Sequence, residues 1–173
     1  MARVAKAAQR LSVPNATATP NLKRAKNIFL IRSATPEQFK KCVGQLRRMA
    51  PNAALHIVSH ERDGELVASL TTPKDKFYAY AGGGNYGATA LASIIMEVKK
   101  TKPTDQPDTF VMLSNNIYGY PHIAEILCEL GARTLHLFNI NERWYTTTRE
   151  ELDFKNACAR VYLGICNLYA YAK

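Results

Sequence analysis

No acidic residue occurs before Glu37, whereas Arg3, Lys6, Arg10, Lys23, Arg24, Lys26 and Arg32 are all basic. Pro14 and Pro20 interrupt any helix there, so residues 1–26 read as a basic flexible tail; a transit peptide is the alternative, although the apolar face such a peptide needs is weak. Cysteine is sparse. Cys42, Cys128, Cys158 and Cys166 form no C-x-x-C pair, and His56, His60, His122 and His136 are scattered, so neither a zinc site nor a disulfide scaffold is expected. Cys158 and Cys166 stand too far apart along a predicted helix to bridge. Secretory and membrane-spanning segments are also lacking, which makes the cytoplasm the expected location, at most peripheral to a membrane. No Ser/His/Asp, Cys/His or paired-carboxylate motif can be assembled, so catalysis is left open.

What is present suits one compact domain of 173 residues, 47% hydrophobic and 21% charged. The net charge of +9 favours anionic partners such as nucleotides, sugar phosphates, nucleic acid or an acidic membrane surface, with a merely solvated basic face as the plain alternative.

The stretch Asn27–Ile31 is short, apolar and rich in β-formers, the pattern of a strand buried on both faces of a parallel sheet. Thr35, Pro36 and Gln38 then supply an N-cap hydroxyl, a proline at the first helical position and a glutamine that would close a capping box. In the helix that follows, Phe39, Val43, Leu46 and Met49 draw one apolar stripe up to Ala50. Ala53–Val58, Lys76–Ala81, Thr109–Leu113 and Thr134–Phe138 read as further strands, with helices from about Gly87 to Lys100 and over Pro121–Leu130. Glu65–Leu70 reads as a short helix or an extra strand. Thr148 and Glu151 open a final helix through a second capping box. That helix becomes apolar nearly all round at Tyr162, Leu163, Tyr169 and Tyr171, and it packs on its own sheet, on another subunit or on a membrane surface.

Ligands of open α/β sheets bind beyond the carboxyl ends of the strands, which singles out Arg32 and Ser33 after the first strand. Gly82, Gly84 and Gly87, with Asn85 between them, fit G-x-G-x-x-G between a strand and a helix. Such glycines let backbone N–H groups approach a phosphate. No acidic residue ends the next strand, however, so a flexible glycine loop at the rim of another ligand's cleft is preferred to a dinucleotide site. Ser114, Asn115, Asn116 and Tyr118 leave the fourth strand as a run of hydrogen-bonding side chains suited to sugar hydroxyls; the two asparagines serve equally well as caps for the helix at Pro121. In the fifth-strand loop Glu142 and Arg143 offer an acid and an anion clamp, and Trp144, the sole tryptophan, is either a stacking surface or a loop anchor.

With these residues in place, the chain resembles the amino-terminal Rossmann-like domain of bacterial glycosyltransferases of the heptosyltransferase type (GT-B). The resemblance lies in Ile28–Ser33, similar to that family's opening strand and Ile-Arg turn, and in Asp108–Leu113 with the helix closing on Gly131 and Ala132. It covers roughly residues 26–139. Two departures stand beside it: the first loop, Ser33-Ala34-Thr35, lacks the family's Gly-Asp pair and catalytic aspartate, and the family's nucleotide-sugar domain has no counterpart here. Glu37 lies a turn into the helix and does not inherit the role.

The resemblance implies a detached acceptor-side domain, or a partner of a full transferase, acting in or assisting polysaccharide or cell-envelope glycan synthesis. The runner-up readings are a non-catalytic nucleotide- or phosphate-binding module and a basic adaptor for nucleic acid or a membrane surface. The expected fold class is α/β: a single Rossmann-like, mostly parallel sheet of about five strands, in order 3-2-1-4-5, with helices on both faces, spanning residues 27–173. A sugar or nucleotide-sugar is the expected ligand, no cofactor is expected, and association with a protein partner or a second copy would run through the final helix. Nucleic acid ranks below these.

Overall fold

The computed structural model describes residues 19–81, 86, 88–114, 121–129 and 131–151. The chain builds one sheet of six strands: β1 (Asn27–Ser33), β2 (Ala54–His60), β3 (Lys76–Tyr80), β4 (Thr109–Ser114), β5 (Thr134–Phe138) and β6 (Trp144–Thr148). Their spatial order is β3-β2-β1-β4-β5-β6. All neighbours pair in parallel except β5 and β6, which pair antiparallel. The expected 3-2-1-4-5 order is therefore present, with one strand more than expected. The sixth strand comes from Trp144–Thr148, where aromatic and β-branched residues dominate the segment read from sequence as loop.

Strand alternation sends the sheet's side chains into two cores. Ile28, Leu30, Leu55, Ile57, Val111 and Leu113 face one side, covered by Phe39, Cys42, Val43 and Leu46 of helix α1 (Pro36–Met49) and by Val67 of the short helix α2 (Gly64–Ala68). Phe29, Ile31, Val58, Phe110 and Met112 face the other. There they meet Leu91, Ile94 and Val98 of α3 (Ala88–Lys99) and Ile123, Ala124 and Leu127 of α4 (Pro121–Glu129). Helices thus cover both faces, as a parallel sheet requires. Among the described residues no helix is long and apolar enough to cross a membrane.

Details at the element ends correct the sequence reading at one helix start and decide between its alternatives after β2. Thr35 Oγ1 accepts from Gln38 N at 3.3 Å, which caps α1 as expected. The Gln38 amide does not return to close the box; it donates to the carbonyl of Ser114 at 2.8 Å and so ties the start of α1 to the end of β4. The stretch after β2 resolves as a 3-10 turn (Glu61–Asp63) and α2, rather than an extra strand. By contrast, Thr148 and Glu151 form the full reciprocal box, with both bonds at 3.2 Å. The rest of that final helix, with Cys158, Cys166 and the tyrosines, lies outside the described residues, as does the tail up to residue 18. Leu22, inside the segment read as tail, is buried and belongs to the same core cluster as Ile28, Leu30 and Ala53.

The Asp75 side chain is fully buried and fastens three elements together. It accepts from the backbone N–H groups of Leu55 at 2.7 Å and Thr72 at 2.6 Å, and it pairs with Arg47 of α1. Burial pushes its carboxyl pKa up, but the Leu55 and Thr72 hydrogen bonds and the Arg47 charge more than offset this, leaving it below the ordinary 3.8. Burial likewise lowers the pKa values of His56 and His136 beneath 6.5.

All three groups have folded-state values below their unfolded ones, so the unfolded chain takes up protons first as pH falls and stability declines. The expected profile has two declines. The histidine part begins below 6.5 and the Asp75 part below 3.8, each ending once the folded-state group itself protonates. Asp75→Asn should cost about 1–3 kcal/mol at neutral pH and flatten only the lower decline. Urea unfolding across this pH range checks it; an unchanged slope below 3.8 in the variant would show that Asp75 does not carry the acid sensitivity.

Candidate functional site

The chain leaves β1 toward β2 on one side and β4 toward β5 on the other, which makes the β1–β4 boundary the topological switch at which open α/β sheets leave a crevice. Ser33 and Ser114 are the in-register pair at its carboxyl end. Ser33 is half-buried, while Ser114 is fully buried with its carbonyl held by Gln38. Of the other sequence candidates, Gly82, Gly84, Asn85, Gly87, Asn115, Asn116 and Tyr118 lie outside the described residues; in the chain they follow β3 and β4 directly.

Arg32 is placed differently from Ser33. Strand alternation turns its side chain to the α1 face and toward β2, away from the crevice. It is 7% exposed. Its Nη1 donates to Ser59 Oγ at 3.1 Å and forms an ion pair with Asp63, and the guanidinium lies 5.5 Å from the centre of the Phe39 ring. The Ser59 hydroxyl in turn donates to Asp63 at 2.8 Å. Arg32 Nε has no hydrogen-bond partner. The guanidinium is thus neutralised on one side by a carboxylate and rests on an aromatic face on another, the two environments that make a buried arginine tolerable.

Tyr86 completes the arrangement from the glycine-rich stretch. Its hydroxyl donates to the backbone carbonyl of Arg32, and its ring stacks on His60 with centroids 5.0 Å apart and meets Tyr80 at 4.9 Å. Burial pushes the Tyr86 hydroxyl pKa far up, more than the nearby Arg32 charge and Ser59 lower it, so it stays a hydrogen-bond donor. The carboxyl ends of β1, β2 and β3 are in this way bolted to one another by side chains. Ser59, His60, Asp63, Tyr80 and Tyr86 were not singled out in the sequence. The cue was Ser-His-Glu-Arg-Asp-Gly, which begins in the last two residues of β2 and reads on its surface as a turn.

The fifth-strand loop is similarly a structural device. Asn139 Oδ1 accepts from the N–H groups of Asn141 at 3.0 Å and Arg143 at 3.2 Å, and Glu142 takes φ 58° in the turn and pairs with Lys41. Trp144 Nε1 donates to Gln45 at 2.6 Å and its ring lies 4.9 Å from Phe138. Of the two readings of Trp144, the anchor is the one observed. Cys42 and Cys128 are buried, and burial raises the Cys42 pKa steeply. Among the described residues no three His, Cys, Asp or Glu side chains gather as a metal site.

The order of strands, with its switch between β1 and β4, defines a Rossmann-like α/β domain. Comparison with family models, with curated proteins and with solved structures gave no match.

The Arg32–Asp63 pair yields a direct expectation. Asp63→Ala leaves a buried guanidinium without its counter-charge and should cost about 3–5 kcal/mol, whereas replacing both partners, Arg32→Met with Asp63→Leu, should recover most of that loss. Denaturant unfolding of the single and double variants decides it. Equal destabilisation of both would mean that the packing around the pair, not the charge, is what matters.

Proposed function

We propose that the chain is a glycosyltransferase-like α/β domain that binds a nucleotide-sugar or a phosphorylated glycan at the crevice between the carboxyl ends of β1 and β4. The observation that supports this reading best is the switch point itself. The polypeptide turns to opposite sides after β1 and β4, with Ser33 at the mouth and the hydrogen-bonding run beginning at Ser114 continuing into Asn115 and Asn116. Hydroxyls and amides at that place suit sugar hydroxyls, which need paired donors and acceptors.

Binding is favoured over catalysis by where the acids are. Asp63 is engaged by Arg32 and Ser59, and Glu37 is exposed in the first turn of α1. Asp63 is thereby committed to the Arg32 network. We accordingly read the domain as an acceptor-side or assisting component in glycan synthesis, working in the cytoplasm.

The test is calorimetric titration with a panel of nucleotides, nucleotide-sugars and glycans. A nucleotide-sugar or glycan should bind, Asn115→Ala should weaken it by about 1–3 kcal/mol, and fold stability should be nearly unchanged. Gly84→Val should be the worse variant where phosphate lies against the glycine stretch, because a side chain blocks backbone approach. Equal affinity for the free nucleotide and its sugar conjugate would select a plain nucleotide-binding module. Silence across the whole panel would sink both readings.

A further inference from the structure

The edge of the sheet opposite the crevice carries a concentrated positive charge. β1 and β4 are neighbours, so the residues that lead into them lie side by side. The links are short: Lys26 N donates to Asp108 Oδ2 at 2.8 Å, and Asn27 Nδ2 donates to the Thr104 carbonyl at 2.9 Å. This brings Lys23, Arg24 and Lys26, ahead of β1, to the same edge as Lys99, Lys100 and Lys102, ahead of β4, and all six are exposed. Lys74 joins them on the β2–β3 side, donating to the Pro51 carbonyl at 3.1 Å.

Fewer acids than cations stand here: Glu97, exposed on α3 two residues before Lys99, and two in the loop that follows. Asp108 and Asp105 are the acids in the intervening loop. Asp108 is occupied with the backbone N–H groups of Lys26 and Asn27 and the Thr109 hydroxyl, and Asp105 accepts from Thr104. The ion pairs among the described residues are Arg32–Asp63, Lys41–Glu142 and Arg47–Asp75, none of which includes the six. Lys99, in the last turn of α3, complements the negative end of the helix dipole, which accounts for one of the six and not for the others. The sequence before residue 19 adds Arg3, Lys6 and Arg10 with no acid.

We propose that this amino edge is a docking surface for an anionic lipid bilayer. Three features favour a lipid surface over nucleic acid. Five of the six side chains are lysines, point charges on flexible stems suited to a diffuse negative plane, rather than the planar arginine forks that grip individual phosphates. The edge presents helix carboxyl ends, so it offers carbonyls and not the backbone N–H groups that phosphate diesters seek. Met96, one turn before Lys100 on α3 and 60% exposed, supplies an apolar side chain beside the cluster, while no exposed aromatic for base stacking lies among these residues. Docked by this edge, the domain holds its crevice away from the bilayer, open to the aqueous phase.

The experiment is flotation of the full chain with phosphatidylcholine vesicles, with and without about 30% phosphatidylserine, at about 0.05 M and about 0.5 M salt. Binding is expected to acidic vesicles alone, and to be lost at the higher salt. Each basic residue near an acidic leaflet is worth about fivefold in partitioning, so Lys99→Gln/Lys100→Gln/Lys102→Gln should lose about a hundredfold. The control, Lys40→Gln/Arg62→Gln/Arg143→Gln, removes the same charge from exposed positions at the carboxyl edge and should change binding by no more than about twofold. Circular dichroism of each variant confirms that it is folded; single Lys→Gln variants replace the triple one if it is not. Equal losses in the two triple variants would reduce the effect to net charge and overturn the docking surface. So would no vesicle binding, or tighter edge-dependent binding to a DNA or RNA duplex than to acidic vesicles.

Discussion

Everything in the domain depends on β1 being paired on both sides and covered on both faces. Ile28, Leu30 and Ile31 are 0% exposed, and each of their backbone groups is committed to β2 or β4. A strand so placed can carry no alternating polar face, and it carries none until Arg32. The polypeptide must also leave and re-enter it by crossover helices, which puts α1 on one face and α3 and α4 on the other. The crevice at the β1–β4 boundary is a geometric by-product of that reversal.

The first polar side chain after this run is the one with the highest electrostatic stake. Alternation alone decides that Arg32 points to the α1 face and Ser33 to the other, so the charge is delivered into a largely dry environment. Asp63 and Ser59, contributed from the end of β2 and the turn after it, are what make the position tenable. The same contacts fix that turn, and Tyr86 fastens the glycine-rich stretch to the Arg32 carbonyl. A network of this kind ties the carboxyl ends of β1 and β2 together and commits the Arg32 guanidinium to Asp63 and Ser59. The unpartnered Nε marks the one side on which the network is incomplete.

The fold was legible in the sequence because its determinants are local. Apolar runs such as Asn27–Ile31 and Thr109–Leu113, the Thr35-Pro36 helix start and the Thr148–Glu151 box each act within a few residues, and the strand order followed from alternating strands and helices. The sixth strand was missed because Asn139, Asn141 and Glu142 dominate the reading as turn signals, although Trp144-Tyr145-Thr146-Thr147-Thr148 has strand composition. Gln38 has the right identity and spacing for a capping box, and no local rule shows that Ser114, distant in sequence, offers its carbonyl a better use. The candidate site was legible only as a location. Which residues converge there is set by pairings such as Arg32 with Asp63 and Tyr86 with His60, separated by tens of residues, and sequence spacing carries no record of them.

Strand polarity also explains why the two ends of the sheet differ so strongly in charge. In a parallel α/β sheet all crossover helices run opposite to the strands, so their amino ends gather at the carboxyl edge and their carboxyl ends at the amino edge. The partial negative charge of helix ends makes basic residues electrostatically welcome at the amino edge, and Arg47, Arg48 and Lys99 occupy the last turns of α1 and α3 accordingly. That effect reaches only about one helical turn and is screened by salt, so it cannot by itself collect Lys23, Arg24 and Lys26 ahead of a strand. At the carboxyl edge Lys41 and Arg32 each meet a carboxylate, while Lys40, Arg62 and Arg143 are exposed. A chain with a net charge of +9 that gathers Lys23, Arg24, Lys26, Lys99, Lys100 and Lys102 around the entries to β1 and β4 concentrates positive charge there, at the pole that strand polarity sets opposite the switch point.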